Sequence, residues 1–517
     1  MNAKQTGSFY TPKPLAKYMS RYAMQRIPSQ RVLEPSVGDG RFIESIMEYQ
    51  CDIDAVEIDF IKINEIKNKY YNVNLICTDF IKFALDSNKK YNLIIGNPPY
   101  ISKKVLTDDQ RELSWKLTEY WSLPNAVFQN LWVSFVLGAL KLLDHENGAI
   151  FYILPFEFLQ VQYAEKLRNF LEEKFNYIEI TTFKESVFPQ IEQDVCLVYM
   201  TNIKDIVPVI KYITVNSFSD MNIIHYSEIC RNKPLKKWSN SILDDDETEL
   251  LQNLQENYIK ISELGDTSPG IVTGANSFFI INTKKVEELN CKDKVLPILQ
   301  HSTSIGNSLI LKNSDIVKLQ QSNKSVWMLN LSGVEEDLFS PELKDYLDSG
   351  VNRENDILSD RYKCKQRLRW YDVPVIKNGN IMFFKRYNML PRLIVNSANV
   401  YTTDISYNIR LKEKFDPSSV AFCFYNSLTL ALCEYNGRFY GGGVGELVPS
   451  EFKSLCLPYR YIDIQDINQL DMMFRENALI EDIIDFIDSK VFANLDKEQI
   501  LKLKKIRNKY LERRIKR

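Results

Sequence analysis

Four short clusters carry the residue types that could do chemistry, and each follows an apolar run: Glu34-Pro35-Ser36-Val37-Gly38-Asp39-Gly40, Glu57-Ile58-Asp59, Thr78-Asp79-Phe80 and Asn97-Pro98-Pro99-Tyr100. Glycines at 38 and 40 permit a tight turn and a close approach of ligand to backbone, with the amides of a following helix facing any carboxylate or phosphate. A dinucleotide fingerprint would place a third glycine where Ile43 stands, which weakens a pyrophosphate reading, and a plain structural turn is the alternative. A carboxylate at 57, beside Ile58, is placed to accept both hydroxyls of a ribose. Asp79 can accept from an exocyclic amine while Phe80 lies against a purine; taken alone, Asp79 serves equally well as a helix N-cap. In chain order the clusters answer to an amino acid (Glu34, Pro35, Gly38, Gly40), a ribose (Glu57, Ile58) and a base (Asp79, Phe80). S-adenosylmethionine fits that order.

The fourth cluster calls for a different kind of ligand. Two adjacent prolines end any regular element, and Pro98 offers an acceptor without a donor. An aromatic amine is a poor nucleophile because its lone pair is delocalised into the ring. Acceptors on its two N–H bonds, the Asn97 side-chain oxygen and the Pro98 carbonyl, favour a pyramidal nitrogen aimed at a sulfonium methyl group. Pro99 stiffens the arrangement, and Tyr100 supplies a ring on which a base can stack.

The elements that must position these residues alternate. Runs at 31–36, 52–59, 73–79, 91–96, 148–155, 177–183 and 194–201 read as strands, and stretches near 41–49, 60–70, 126–143 and 159–174 as amphipathic helices. Strands separated by helices predict an α/β fold with a doubly wound, mostly parallel Rossmann-like sheet, whose ligand sites lie beyond the carboxyl ends of its strands. The alternation fades after residue 202, and "KPLKKWSNSILDDDETE" (233–249) reads as a linker with a sign change in its charge.

The chain resembles a known family, the gamma-class, TaqI-type DNA adenine methyltransferases. The resemblance lies in an ordered set: "GSFYTPKPLAKYM" (7–19), "VLEPSVGDGRF", "AVEID", "CTDF", "GNPPY" and "VFPQ" (187–190). It implies a methyltransferase-type sheet followed by a mixed α+β target-recognition domain, with Thr11-Pro12 closing over the methionine part of S-adenosylmethionine. It further implies that Asn97, Pro98, Pro99 and Tyr100 hold the target base, and that Phe188 covers its other face; a core aromatic before a proline turn is the plainer account of Phe188. A base inside a duplex cannot reach such a pocket, so the family's substrate is an adenine flipped out of double-stranded DNA, at a cost of about a few kcal/mol. A separate cognate restriction endonuclease is the implied partner, unless the chain is an orphan. With the first motif at Thr11, no nuclease domain is expected upstream. Rival readings are a methyltransferase for an RNA base or a glutamine amide, and a non-catalytic DNA-binding module.

Looser resemblance continues through "SPGIVTGANSFFII" (268–281), "PRLIVNSANVYTTDISYNIRL" (391–411) and "FYGGGVGELVPSEFKSLCLP" (439–458). The expected division is a catalytic domain over 1–235, a target-recognition domain over 250–460, and a C-terminal helical segment with a basic tail over 461–517. In "QRLRWYDVP" and "FFKRYNMLPR", Arg367, Arg369, Trp370, Tyr371, Lys385, Arg386, Tyr387 and Arg392 interleave cations with rings and are candidates for DNA contact. Half-buried strands with charged outer faces would give the same pattern. Gly441 to Gly443 suit a close backbone approach. The tail 501–517 holds nine Lys or Arg against Glu512, read either as a phosphate-binding surface or as the solvated face of a helix.

Composition agrees with an ordinary globular protein of two or three domains: 45% hydrophobic and 26% charged over 517 residues, with a net charge of −2. The whole molecule is therefore not a basic body, and any attraction to polyanions must be local. No run is long enough to span a bilayer and no secretory leader is evident, so a cytoplasmic location and no membrane partner are expected. Nine scattered cysteines and three histidines give no metal-ligand spacing, and no metal is expected.

Overall fold

The computed structural model describes residues 10–27, 31–188, 194–230, 234–352, 356–440 and 443–515. Gly7 to Phe9, Pro189, Gln190, Gly441, Gly442, Lys516 and Arg517, all within the motifs above, lie outside them. The chain divides into two compact units, one of residues 1–248, 440–443 and 512–517, the other of 249–439 and 444–511. Among the described residues no helix is long and apolar enough to cross a membrane.

The first unit is a mixed α/β structure around a nine-stranded, mostly parallel sheet. Its strands are β1 (Arg31–Glu34), β2 (Asp52–Glu57), β3 (Asn74–Cys77), β4 (Leu93–Gly96), β5 (Ala149–Pro155), β6 (Tyr177–Phe183), β7 (Val195–Thr201), β8 (Val209–Val215) and β9 (Ile223–Cys230), in the order β3-β2-β1-β4-β5-β7-β6-β8-β9. Strands β3, β2, β1, β4 and β5 are parallel, and β7 runs antiparallel between β5 and β6. All seven residues of β5 and of β7 are buried, as expected of strands covered on both faces. Helices α1 (Lys13–Arg26), α2 (Arg41–Ile46), α3 (Phe60–Lys67), α4 (Phe80–Asp86), α5 (Asp108–Tyr120), α6 (Leu131–Leu142) and α7 (Glu165–Lys174) complete it. Because β1 leads to β2 and β3 on one side while β4 lies on the other, the strand order reverses between β1 and β4. A crevice opens at such a point.

Two expectations need correction. The sheet does not end near residue 202: β8 pairs parallel with β6, and β9 antiparallel with β8. Nor is 233–249 a linker. Trp238 is fully buried, its Nε1 donates to Glu172 Oε1 at 2.6 Å, and its ring meets Phe158 edge-on at 5.1 Å. Asp244 and Glu247 then exchange reciprocal side-chain to backbone hydrogen bonds, which start a helix from Asp245 to Glu256. Lysines before and acids after the anchor give the stretch its linker-like composition, and one tryptophan decides its structure.

The second unit is built from short strands. Its largest sheet has five, in the order 265–269, 406–411, 381–384, 392–396 and 310–311. The helices Ile464–Arg475 and Ile480–Val491 follow, then Lys497–Ile515, whose residues from Glu512 on count with the first unit, as do Ser239 and Gly443. That last helix bears out the helical reading of the basic tail in its apolar stripe and departs from it in three of its cations. Leu503, Ile506 and Tyr510 are fully buried, and so, nearly, are Arg507, Arg513 and Arg514. Arg507 bonds Glu481 and the Met389 carbonyl, Arg513 donates to the Ser239 carbonyl at 2.7 Å, and Arg514 to that of Gly443 at 2.6 Å. A guanidinium presents five donors on a long apolar stem, so it can be buried where backbone carbonyls need partners.

Candidate functional site

A cavity of about 530 Å³ lies at the carboxyl ends of β1 to β4. Gly38 and Gly40 adopt positive φ of 60° and 79°, the left-handed turn that swings the chain from β1 into α2. A Cβ on Gly40 would stand 2.9 Å from the Tyr70 ring, so glycine is required there by space as well as by backbone. Pro35 is buried and packs on Gly96, where a Cβ would meet its ring at 3.3 Å. The Ser36 hydroxyl donates to the Asn97 carbonyl at 3.1 Å, fastening the turn after β1 to the one after β4.

Among the acidic residues that line this space, Glu34, Glu57 and Asp79 differ in their partners. Glu57 Oε2 accepts from the Gly38 amide at 2.9 Å and Oε1 from the Asp59 amide at 3.0 Å, linking two strand ends. An ionised carboxylate has about four acceptor positions, so Glu57 keeps capacity for hydroxyl donors. Asp79 is an N-cap, its Oδ1 accepting from Ile81 at 2.7 Å and Lys82 at 3.3 Å, and it also lines the cavity. Glu34 is only 1% exposed, and its Oε2 has no hydrogen-bond partner. Burial, reinforced by the negative charges of Asp39 and Glu57, pushes its pKa well above the usual carboxylate value. A buried carboxyl group with an empty oxygen, lining a cavity, is built to meet a donor from a ligand.

This donor set fits S-adenosylmethionine: Glu34 for the ammonium, the Gly38 turn for the carboxylate, Glu57 for the ribose hydroxyls, Asp79 and Phe80 for the adenine. Phe80 is 3% exposed and packs on Phe135, ring centres 4.8 Å apart, so its orientation is fixed from behind. Thr11 and the 60% exposed Ile58 line the cavity, while Pro12 caps α1 outside it, its carbonyl accepting from Leu15 and Ala16.

The target-base cluster is only partly in the cavity. Asn97 and Pro99 line it; Pro98 is buried behind them, and Tyr100 packs instead on the apolar cluster that contains Phe188. Tyr100 is half-buried, its hydroxyl lying within 3.0 Å of both Asn97 Oδ1 and the Ile153 carbonyl, and burial raises its pKa. A phenol has one hydrogen and donates to one of these acceptors at a time. Phe188 is 7% exposed within that cluster, the position its plainer account gave it.

Sequence reasoning missed part of the wall. Arg41 pairs with Asp39 at 2.6 Å and donates to the Thr11 carbonyl at 2.6 Å, and Tyr10 lies against Gly38. Lys62 stands 5.6 Å from the Tyr10 ring. Thr107, Gln110, Leu131 and Phe135 come from α5 and α6. Arg41 adjoined the glycine turn and could have been suspected; the contributors from α5 and α6 carry no local signal.

The C-terminal candidates are placed differently. Arg369 forms a two-pronged pair with Asp372 and donates to the Leu331 and Val334 carbonyls at 3.0 and 2.9 Å. Arg367 holds the carbonyls of Val272, Thr273 and Trp370. Trp370 packs on Phe278 and Phe279, and Tyr371 is 8% exposed with its hydroxyl on Glu336. Arg392 bonds Asn307 and the Gly306 and Ser308 carbonyls, and Arg386 pairs with Glu446. Lys385 is half-buried; its backbone amide donates to the Ile405 carbonyl.

Comparison with known proteins adds family evidence. Residues 40–188 match the model described as Eco57I restriction-modification methylase, and 235–492 that of the C-terminal domain of type II methyltransferase M.Eco57I. Type II methyltransferase M.AccI of Acinetobacter calcoaceticus is 26% identical over 511 residues, covering 92% of this chain and 89% of the relative. Type II methyltransferase M.HindII of Haemophilus influenzae is 24% identical over 59% of this chain, which spans 53% of that relative's length. In a cryo-electron microscopy structure of a DrdV–DNA complex, a chain superposes with a TM-score of 0.51 at 11% identity, over 91% of this chain and 58% of that one, a likeness of fold.

Proposed function

From the matches of its two halves to the models of the Eco57I-like type II methyltransferases, we propose that this chain is a site-specific DNA methyltransferase of a restriction-modification system, or an orphan of that kind, acting on the N6 amine of an adenine turned out of duplex DNA. The observation that carries the reading is the convergence of Glu34, Glu57, Asp79 and Asn97 on one cavity at the strand-order reversal. Relatives named as type II methyltransferases that match across both halves favour duplex DNA over an RNA base or a glutamine amide.

When bound, S-adenosylmethionine supplies a methyl group made electrophilic by its sulfonium. The chain's own part is preorganisation. Asn97 Oδ1 and the Pro98 carbonyl accept from the two N–H bonds of the target amine, turning its lone pair toward the methyl group. The Tyr100 hydroxyl bears on this: when its hydrogen goes to the Ile153 carbonyl, the Asn97 oxygen is released from it for the substrate. Its raised pKa keeps the phenol protonated. The Tyr100 ring offers one stacking face and Phe188 a second, each once it turns from the apolar cluster on which it packs. The methylated amine loses its proton to water, and no strong base is needed.

The test is to map modified bases in DNA from a host expressing the protein or its Asn97→Ala variant. N6-methyladenine at one defined word, absent with the variant while cofactor binding persists, supports the proposal. Only N4-methylcytosine, unmodified DNA, or unchanged modification by Asn97→Ala would overturn it.

A further inference from the structure

Arg361, Lys363, Lys365, Arg367 and Arg369 follow one another with no acid among residues 361–371. The structure sorts them into two sets. The three arginines are half-buried and tied down: Arg361 pairs with Asp356 and donates to the Gly274 carbonyl at 3.2 Å, while Arg367 and Arg369 hold the five carbonyls described above. Cys364 is fully buried beneath them, and Trp370 is wedged against Phe278 and Phe279. The residues between point to solvent: Tyr362 is 72% and Leu368 99% exposed, and Lys363, Lys365 and Gln366 are exposed as well.

A single exposed leucine is ordinary on a protein surface. This one stands on a segment held in place by three arginines and follows two lysines that form no ion pair among the described residues. Holding a segment this firmly removes the conformational cost of ordering it in a complex. The sign of the charge selects a polyanion, and an apolar tip three residues beyond exposed lysines suits a surface of bases behind phosphates.

We propose that Tyr362–Leu368 is the ridge by which this unit meets duplex DNA, with Lys363 and Lys365 on phosphates and Leu368 inserted as an apolar wedge between base steps. The inference rests on the proposed function and assigns the contact to residues other than the conspicuous arginines.

The experiment measures binding of the full chain to a fluorescein-labelled duplex of random sequence over a salt series. The Lys363→Gln/Lys365→Gln pair should weaken binding roughly tenfold and reduce the slope of log affinity against log salt by about 2, while the charge-matched Lys324→Gln/Lys344→Gln pair does neither. Leu368→Ser should keep that affinity within about twofold and lower the rate of methyl transfer several-fold. Equal loss in both lysine pairs, or no loss in the first, overturns the ridge; transfer unchanged in Leu368→Ser overturns the wedge. Failure of the unsubstituted protein to bind or methylate duplex DNA would remove the proposed function itself. Binding and transfer that persist, with the lysine variants indistinguishable, would remove only this inference.

Discussion

Each unit contains a buried carboxyl group with one oxygen lacking a partner, and the two differ in what lies beside it. Glu34 in the first unit lines a cavity of about 530 Å³. Asp488 in the second, 3% exposed, accepts from the Ser427 amide at 2.9 Å inside a packed helical layer. The arginines repeat the contrast. Arg41 holds the Thr11 carbonyl in a wall that a ligand can reach, whereas the carbonyls held by Arg361, Arg367, Arg369 and Arg392 belong to loops that line no such cavity among the described residues. Parallel strands that pair fully with one another leave their carboxyl ends open for ligands. A unit of short strands and long connections has unpaired carbonyls, and long-reach donors are drawn to them. The unpartnered oxygen of Glu34 faces space that a ligand can fill; that of Asp488 faces packed side chains.

Four outcomes would break or sharpen that contrast. The largest belongs to Asn97→Ala, which should lower the rate of methyl transfer by 10²-fold or more, about 3 kcal/mol or above, while calorimetry finds cofactor affinity within about threefold. A parallel loss of cofactor affinity would instead make Asn97 part of the cofactor site. Next, Glu34→Gln should weaken cofactor binding on the order of 10- to 100-fold. Glu34 has a raised pKa in the ligand-free protein, and a bound ammonium lowers it, so binding releases protons and affinity rises with pH between the two values. Calorimetry in buffers of different ionisation enthalpy should detect that release in the native protein and not in Glu34→Gln.

Arg369→Ala leaves two loop carbonyls and Asp372 without their donor, so thermal melting should show a loss of about 2 kcal/mol from the C-terminal unit. If Arg369 were a solvent-facing DNA contact, melting would not change while affinity for duplex fell. The smallest effect concerns Asp488, whose pKa burial raises to about 6. Its folded state holds a proton that the unfolded state releases near pH 4, so its contribution is present at low pH and lost as pH rises through about 6. Asp488→Asn should flatten that part of the stability profile, by about 1–3 kcal/mol in a denaturant series across pH.

How much was legible from the chain depended on whether the signal was local. The ends of β1, β2, β3 and β4 could be read because glycine at positive φ, acids after apolar runs and a double proline each declare themselves within a few residues. The strands β8 and β9 were lost behind a run without alternation, and Trp238 behind the charges around it. The walls from α5 and α6 and the roles of the C-terminal arginines depend on segments up to about a hundred residues away, as in the contact between Arg367 and Val272.

By itself, then, the sequence determined the order of strands and turns in the first half and the residue types offered at each strand end, since backbone preference and hydrophobic period act over short spans. Only the tertiary structure decided which of those groups meet a cavity, which oxygen of Glu34 stays empty, and which cations turn inward. Burial and hydrogen-bond partnership are set by what packs against a side chain, and that neighbour comes from elsewhere in the chain.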